Sequence, residues 1–99
     1  NLKIWLAFNE FAAPARVIVN AGAEAALQNP KTVNSLLPIG ILSFQGTFQK
    51  GDLIEIFNEK EEFIGRGIAQ YDQEQLRNCI GKADQKPLIH YDHLLVGEY

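Results

Sequence analysis

The sequence predicts a mainly β domain of five or six short strands with two short helices, closed or half-closed into a small barrel. Three observations predict it. Short runs of alternating or branched apolar residues recur along the chain, glycines stand at the ends of those runs, and only two stretches have helical composition with capping residues. Curvature on strands this short is made by glycine corners and bulges, which is how small barrels close.

The elements follow in order. KIWLAF (3–8) alternates branched and aromatic residues and reads as a strand or the end of a linker, and FAAPA (11–15) reads as a loop. RVIVN (16–20) reads as a buried strand. GAEAALQNP (22–30) reads as a short helix, because Ala and Leu are strong helix formers and Pro30 stops it. ILSF (41–44) and LIEIF (53–57) alternate, with Ile54 and Ile56 on one face and Leu53, Glu55 and Phe57 on the other. NEKEE (58–62) makes a hairpin connection into FIGRGIAQY (63–71). There Ile64, Arg66 and Ile68 share one face, and Gly65, Gly67 and Ala69 share the other. A face nearly bare of side chains lets another backbone or a ring approach, or permits a sharp bend. Asp72 caps a second helix, QEQLRNCI (73–80), with Glu74 in its first turn and Gly81 at its end. LIHYDHLLV (88–96) is the last strand or pair of strands. Gly40, Gly46 and Gly51 are expected to turn corners.

Composition narrows the function. Ninety-nine residues make one domain, and a chain of this size buries roughly two thirds of its unfolded surface. The lone Cys79 excludes an intramolecular disulfide, and its helical spacing with Leu76 and Ile80 marks a buried structural thiol. No apolar run is long enough to span a membrane, and no secretory leader pattern opens the chain. The expectation is a cytoplasmic module with no membrane partner. The start at Asn1 and the lack of methionine suggest a piece of a longer protein. Net charge is −3, acidic residues cluster in NEKEEF (58–63) and the basic residues are scattered. Nucleic-acid binders draw most of their affinity from neutralising phosphates, so this balance leans against strong binding to RNA or DNA.

No constellation carries catalysis. His90 and Asp92 share one strand face and His93 takes the other, and two histidines three apart bind a metal only with further ligands, which no cysteine or carboxylate cluster provides. Gly65-Arg66-Gly67 matches no phosphate-loop pattern and lies within a strand rather than opening a helix. No catalytic residue and no metal ligand is assigned.

The order of the pieces resembles the C-terminal PUA domain of bacterial glutamate 5-kinases, along nearly the whole chain. The resemblance is carried by Gly22-Ala23 opening a helix, Ser35-Leu36-Leu37-Pro38 with Gly40, and Gly46 followed by Phe48 and Gly51-Asp52. Arg66-Gly67, Tyr71 and Ile89-His90 with Asp92 continue it. Three departures stand out. Asn20 replaces the usual Asp before x-Gly-Ala, Val33-Asn34 replaces a Gly-Lys, and the connector GKADQKP (81–87) is short. The resemblance implies a PUA-type pseudobarrel of mixed strands over residues 15–99, with the first helix against its open side. Residues 1–14 are then a linker or first strand following an upstream amino-acid kinase domain.

The resemblance also implies a parent that moves the ATP γ-phosphoryl group to the glutamate side chain, the first step of proline biosynthesis. ATP and Mg²⁺ would be held upstream of Asn1, with no cofactor in this chain and a homo-oligomeric parent. The expected function is therefore a non-catalytic module that regulates or stabilises that kinase. The alternative is the RNA-binding PUA domain of an RNA-modifying protein. Contacts to weakly bound RNA, or to a partner, are expected from Gly22, Ala23, Lys31, Asn34 and Ser35 on the first helix and its following loop, and from Arg66 on the barrel.

Overall fold

The computed structural model describes residues 15–97. The strand or linker expected over 3–8 lies outside the described residues, as does the loop expected over 11–15 apart from Ala15, which opens the first strand instead. Five strands alternate with two helices: β1 (Ala15–Val19), α1 (Ala21–Gln28), β2 (Ile41–Gly46), β3 (Leu53–Phe57), β4 (Phe63–Ala69), α2 (Gln73–Cys79) and β5 (Ile89–Val96). A 3-10 turn, Pro38–Gly40, leads into β2. The strands form one mixed sheet in the order β2-β1-β3-β4-β5, in which β1 and β3 run parallel and the other neighbours antiparallel.

The sheet curls until its ends meet. Leu36, just ahead of β2, bridges to Ile89 at the start of β5: its N–H donates to the Ile89 carbonyl at 2.9 Å, and its carbonyl accepts from the Leu88 N–H at 2.8 Å. Beside that seam α2 and the turn after it are tied to the segments before and after β2. The Gly81 N–H donates to the Pro38 carbonyl at 2.8 Å, and the Phe48 N–H donates to Gln73 Oε1 at 2.8 Å. Inside, Val17, Val19, Leu36, Ile41, Ile54, Ile56, Leu76, Leu88 and Ile89 are buried in one cluster, so the face of Ile54 and Ile56 read in β3 is the one turned to the main core, while Leu53 packs with Leu95 in a smaller cluster.

Three irregularities interrupt the ladder. Between β1 and β2, Ile18 pairs with Ser43 and Val19 with Ile41, so Leu42 is an extra residue on β2. Phe57 pairs with Phe63 and Ile56 with Gly65, so Ile64 is an extra residue on β4. Alternation alone places Ile64 on the Arg66 face. The bulge instead turns it into the main core, where it is 2% exposed. On β5, Leu94 pairs with Gly67 and Ile89 with Ala69, so His90 to His93 all stand opposite Ile68. The final segment is thus one strand with a wide bulge, rather than two strands.

The glycines divide by role. Gly46 and Gly51, with φ of +87° and +95°, do turn corners. Gly40 does not have positive φ; a Cβ there would stand 2.5 Å from the Ala23 Cβ, so its task is close approach of the 3-10 turn to α1.

Asn58 is a polar hub that the residue pattern does not announce. Its side chain is 6% exposed. Its Nδ2 donates to Glu24 Oε2 at 3.0 Å and to Glu62 Oε1 at 2.9 Å, and its Oδ1 accepts the N–H groups of Lys60 and Glu62, both at 2.9 Å. One side chain therefore shapes the β3–β4 hairpin and pins α1 to it. Asn58→Ala is expected to cost about 2–3 kcal/mol, the loss of several hydrogen bonds at a buried position. Chemical denaturation of the variant against Glu24→Ala, which removes only the bond to α1, measures how much of that cost is the hairpin turn.

Candidate functional site

A groove of about 310 Å³ runs between α1 and the segment from Asn34 to Gly40. Its helix wall is built by the sequence Asn20-Ala21-Gly22-Ala23. Asn20 is extended and lies just outside the helix, where its Oδ1 accepts the Ala23 N–H at 2.8 Å and satisfies one of the helix's orphan donors. The Asn20 N–H donates in turn to the Gly40 carbonyl at 2.9 Å, which holds the two walls together at one end. At the other end Asn34 Nδ2 donates to the Ala26 carbonyl at 2.9 Å and to Thr32 Oγ1 at 2.6 Å, closing the loop onto the end of α1. Ser35 Oγ accepts the Tyr91 N–H at 2.9 Å and ties the loop to the β5 bulge.

Asn20→Ala is expected to destabilise the domain by about 1 kcal/mol, the usual loss of a capping side chain, while Asn20→Asp restores the cap and adds a favourable charge at the helix start. Thermal unfolding of the three proteins side by side checks the ordering.

The groove is uncharged. It is lined by Gly22, Ala23, Leu27, Leu36, Leu37 and Ile39, with Asn20, Asn34 and Ser35 as its polar side chains, and each of these three is already engaged in the bonds above. Small residues on the helix side and large apolar ones on the loop side shape it. Of the six residues expected to make contacts, Gly22, Ala23, Asn34 and Ser35 are brought together here. Lys31 is exposed and does not line the groove. Arg66 lies elsewhere, on the outer face of the sheet opposite Glu55, with its guanidinium 5.1 Å from the Phe63 ring centre. Arg16 sits opposite Glu55 from the other side and covers the Phe57 ring at 4.7 Å. That row of alternating charges over two rings braces the sheet.

Sequence reasoning missed five exposed apolar residues, of which Leu37 and Ile39 line the groove. Val33 is 73% exposed, Ile39 51%, Leu42 50%, Leu37 46% and Tyr91 41%. Four of these fall within ten residues of sequence, and the fifth donates its N–H to Ser35. The signal was present in VNSLLPIGIL, a run too apolar for a loop that only connects.

A second cleft, about 520 Å³, is lined by Lys50, Gln70, Tyr71, Asp72, Lys86 and His90 among others. Tyr71 is structural there. Its hydroxyl donates to the Lys86 carbonyl at 2.9 Å and lies 3.6 Å from Cys79 Sγ, and burial, together with the thiol beside it, holds the phenol well above its usual pKa. His90 Nδ1 lies 3.7 Å from Asp92 Oδ2, while His93 Nδ1 meets Gln70 Nε2 at 3.0 Å, so the two histidines are engaged separately.

Residues 15–91 match the sequence profile of the PUA domain. The chain belongs to the PUA domain family. It is 42% identical over 92 residues to the glutamate 5-kinase of Chlorobaculum tepidum, a match that covers 93% of this chain and 26% of that protein. Against the glutamate 5-kinase of Thermotoga maritima it is 43% identical over 106 residues, covering 95% of this chain and 29% of that one. The chain thus spans about a quarter of the length of these relatives. Its fold is similar to that of a PUA domain from Aeropyrum pernix, solved as a tartrate complex, with a TM-score of 0.69 at 22% identity over 78% of this chain and 41% of the other. A mixed sheet, two helices and the PUA profile agree with the mainly β pseudobarrel read from the sequence.

Proposed function

We propose that this PUA domain is a non-catalytic module of a glutamate 5-kinase, which regulates or stabilises the enzyme that phosphorylates glutamate with ATP in proline biosynthesis. The observation that carries the reading is the identity above 40% to two glutamate 5-kinases along more than nine tenths of the chain. The kinase chemistry belongs to the portion of those proteins that this chain does not cover. ATP and Mg²⁺ are assigned to that portion, and no step of phosphoryl transfer is assigned to this chain; among the described residues there is no group of three or more His, Cys, Asp or Glu side chains that could hold a metal ion. The upstream amino-acid kinase domain is the partner in the same polypeptide, in a homo-oligomeric cytoplasmic enzyme. No helix among the described residues is long and apolar enough to cross a membrane. Removal of residues 15–99 from the intact enzyme, with rate, effector response and assembly size measured together, tests the reading.

RNA binding is the weaker reading, because the groove that gathers Gly22, Ala23, Asn34 and Ser35 offers no cation to a phosphate backbone. With its nine Lys and Arg residues scattered, the domain should bind structured RNA weakly. The slope of log affinity against log salt should correspond to roughly one to three phosphate contacts. Sub-micromolar binding at near-physiological salt in a fluorescence titration would restore the RNA reading.

A further inference from the structure

The groove between α1 and the Asn34–Gly40 segment lacks charge, its polar side chains are satisfied internally, and exposed Val33, Leu37 and Ile39 lie on or beside it. Soluble domains seldom leave several large apolar side chains exposed together unless something covers them. We infer that this groove is the docking surface for the upstream kinase domain of the same polypeptide, which presents an apolar segment to it. The inference rests on the proposed function and adds the face through which the two domains meet.

One feature favours this occupant. The relatives that match this chain over more than nine tenths of its length are between three and four times as long, so a polypeptide of their kind has a large body of chain to place against the domain. Tethering also removes the need for a large interface. A short linker supplies an effective concentration in the millimolar range, so a modest apolar contact with an intrinsic Kd near that range is substantially occupied. Nucleic acid fits the groove poorly, for want of cations.

The test places the photo-crosslinking residue p-benzoylphenylalanine at Leu37 in the intact polypeptide, with a second version carrying it at Val33 in case the first fails to fold. Illumination is expected to give an intrachain product whose cross-linked peptide maps upstream of Asn1. Ile39→Glu in the same background is expected to reduce that product at least tenfold, because a carboxylate on the apolar wall would be buried by docking. Cross-links to the same face of a second copy, cross-links to nucleic acid, or no product in a folded protein would each overturn the inference. Truncation reads the proposed function separately. If truncation alters regulation but no upstream cross-link forms, the docking face is wrong and the functional reading stands. If the cross-link forms and truncation changes nothing, the docking face stands and the regulatory reading falls.

Discussion

Gly67→Val is expected to destabilise the domain by about 3 kcal/mol, the upper range for forcing volume into a packed core. On a domain of this size that corresponds to a melting temperature lower by roughly 12–24 °C. The physical reason is the path of β5. A Cβ at Gly67 would stand 2.7 Å from the His93 carbonyl oxygen and would overlap the Ile89 side chain. Neither neighbour can yield cheaply. The carbonyl belongs to the backbone that returns from the His90–His93 bulge to pair Leu94 with Gly67, and Ile89 is fully buried in the core and forms the seam with Leu36. Gly51→Ala is the matched control. Nothing lies within 4 Å of a Cβ there, and only its φ of +95° resists substitution, so about 1 kcal/mol is expected. Gly67 has no positive φ, so a loss in Gly67→Val no larger than that in Gly51→Ala, measured by thermal and urea unfolding, would overturn the steric account.

The bare face of β4 was visible in Gly65, Gly67 and Ala69 as a spacing, and the structure gives it an occupant: the β5 backbone and Ile89. Much of the fold was legible in this way. The alternation of Ile54 and Ile56 against Leu53 and Glu55 set the inward face of β3, and Asp72 marked the start of α2, where its Oδ1 accepts the Gln75 N–H at 2.9 Å. The missed features are those in which one residue breaks the period. A bulge costs one extra residue and carries no composition of its own, so Ile64 was placed on the wrong face and the four-residue bulge of β5 read as a possible break between strands. Gly40 was read by its residue type as a corner, whereas its contact is with Ala23, seventeen positions earlier in the chain.

The candidate site was half legible for the same reason. Gly22, Ala23, Asn34 and Ser35 lie close in sequence, and a helix with its following loop brings such residues together locally. Arg66 is far in sequence, and which face of the barrel it takes depends on the register of β4 against β3 and β5. That register sets Arg66 beside Glu55 and away from the groove. The hub at Asn58 was hidden because its partner Glu24 lies thirty-four residues away, and single-residue patterns do not encode such pairings.

Truncation of the parent enzyme ahead of Ala15 is expected to leave its chemical step intact and to shift its response to effectors. The first half rests on the proposal that the phosphoryl-transfer groups lie in the part of the enzyme this chain does not cover. The second half follows from coupling. A domain that docks through an apolar face stabilises whichever arrangement of the kinase presents the complementary surface, and an effector that prefers the other arrangement must work against that contact. Coupling between sites typically amounts to about 1–3 kcal/mol, a 5- to 150-fold change in apparent affinity. The response to proline, tested as the end product of the proposed pathway, or the Mg²⁺ dependence should therefore move by a factor in that range, while the maximal rate changes little. Steady-state rates of full-length and truncated enzyme across effector and Mg²⁺ concentrations, with assembly size measured on the same samples, check both halves. A folded truncation without turnover would place this domain in the active site, and identical responses on every axis would remove its regulatory role. Ile39→Glu in the full-length enzyme should reproduce the direction of the truncation at smaller amplitude, because it weakens the docked arrangement without removing the domain.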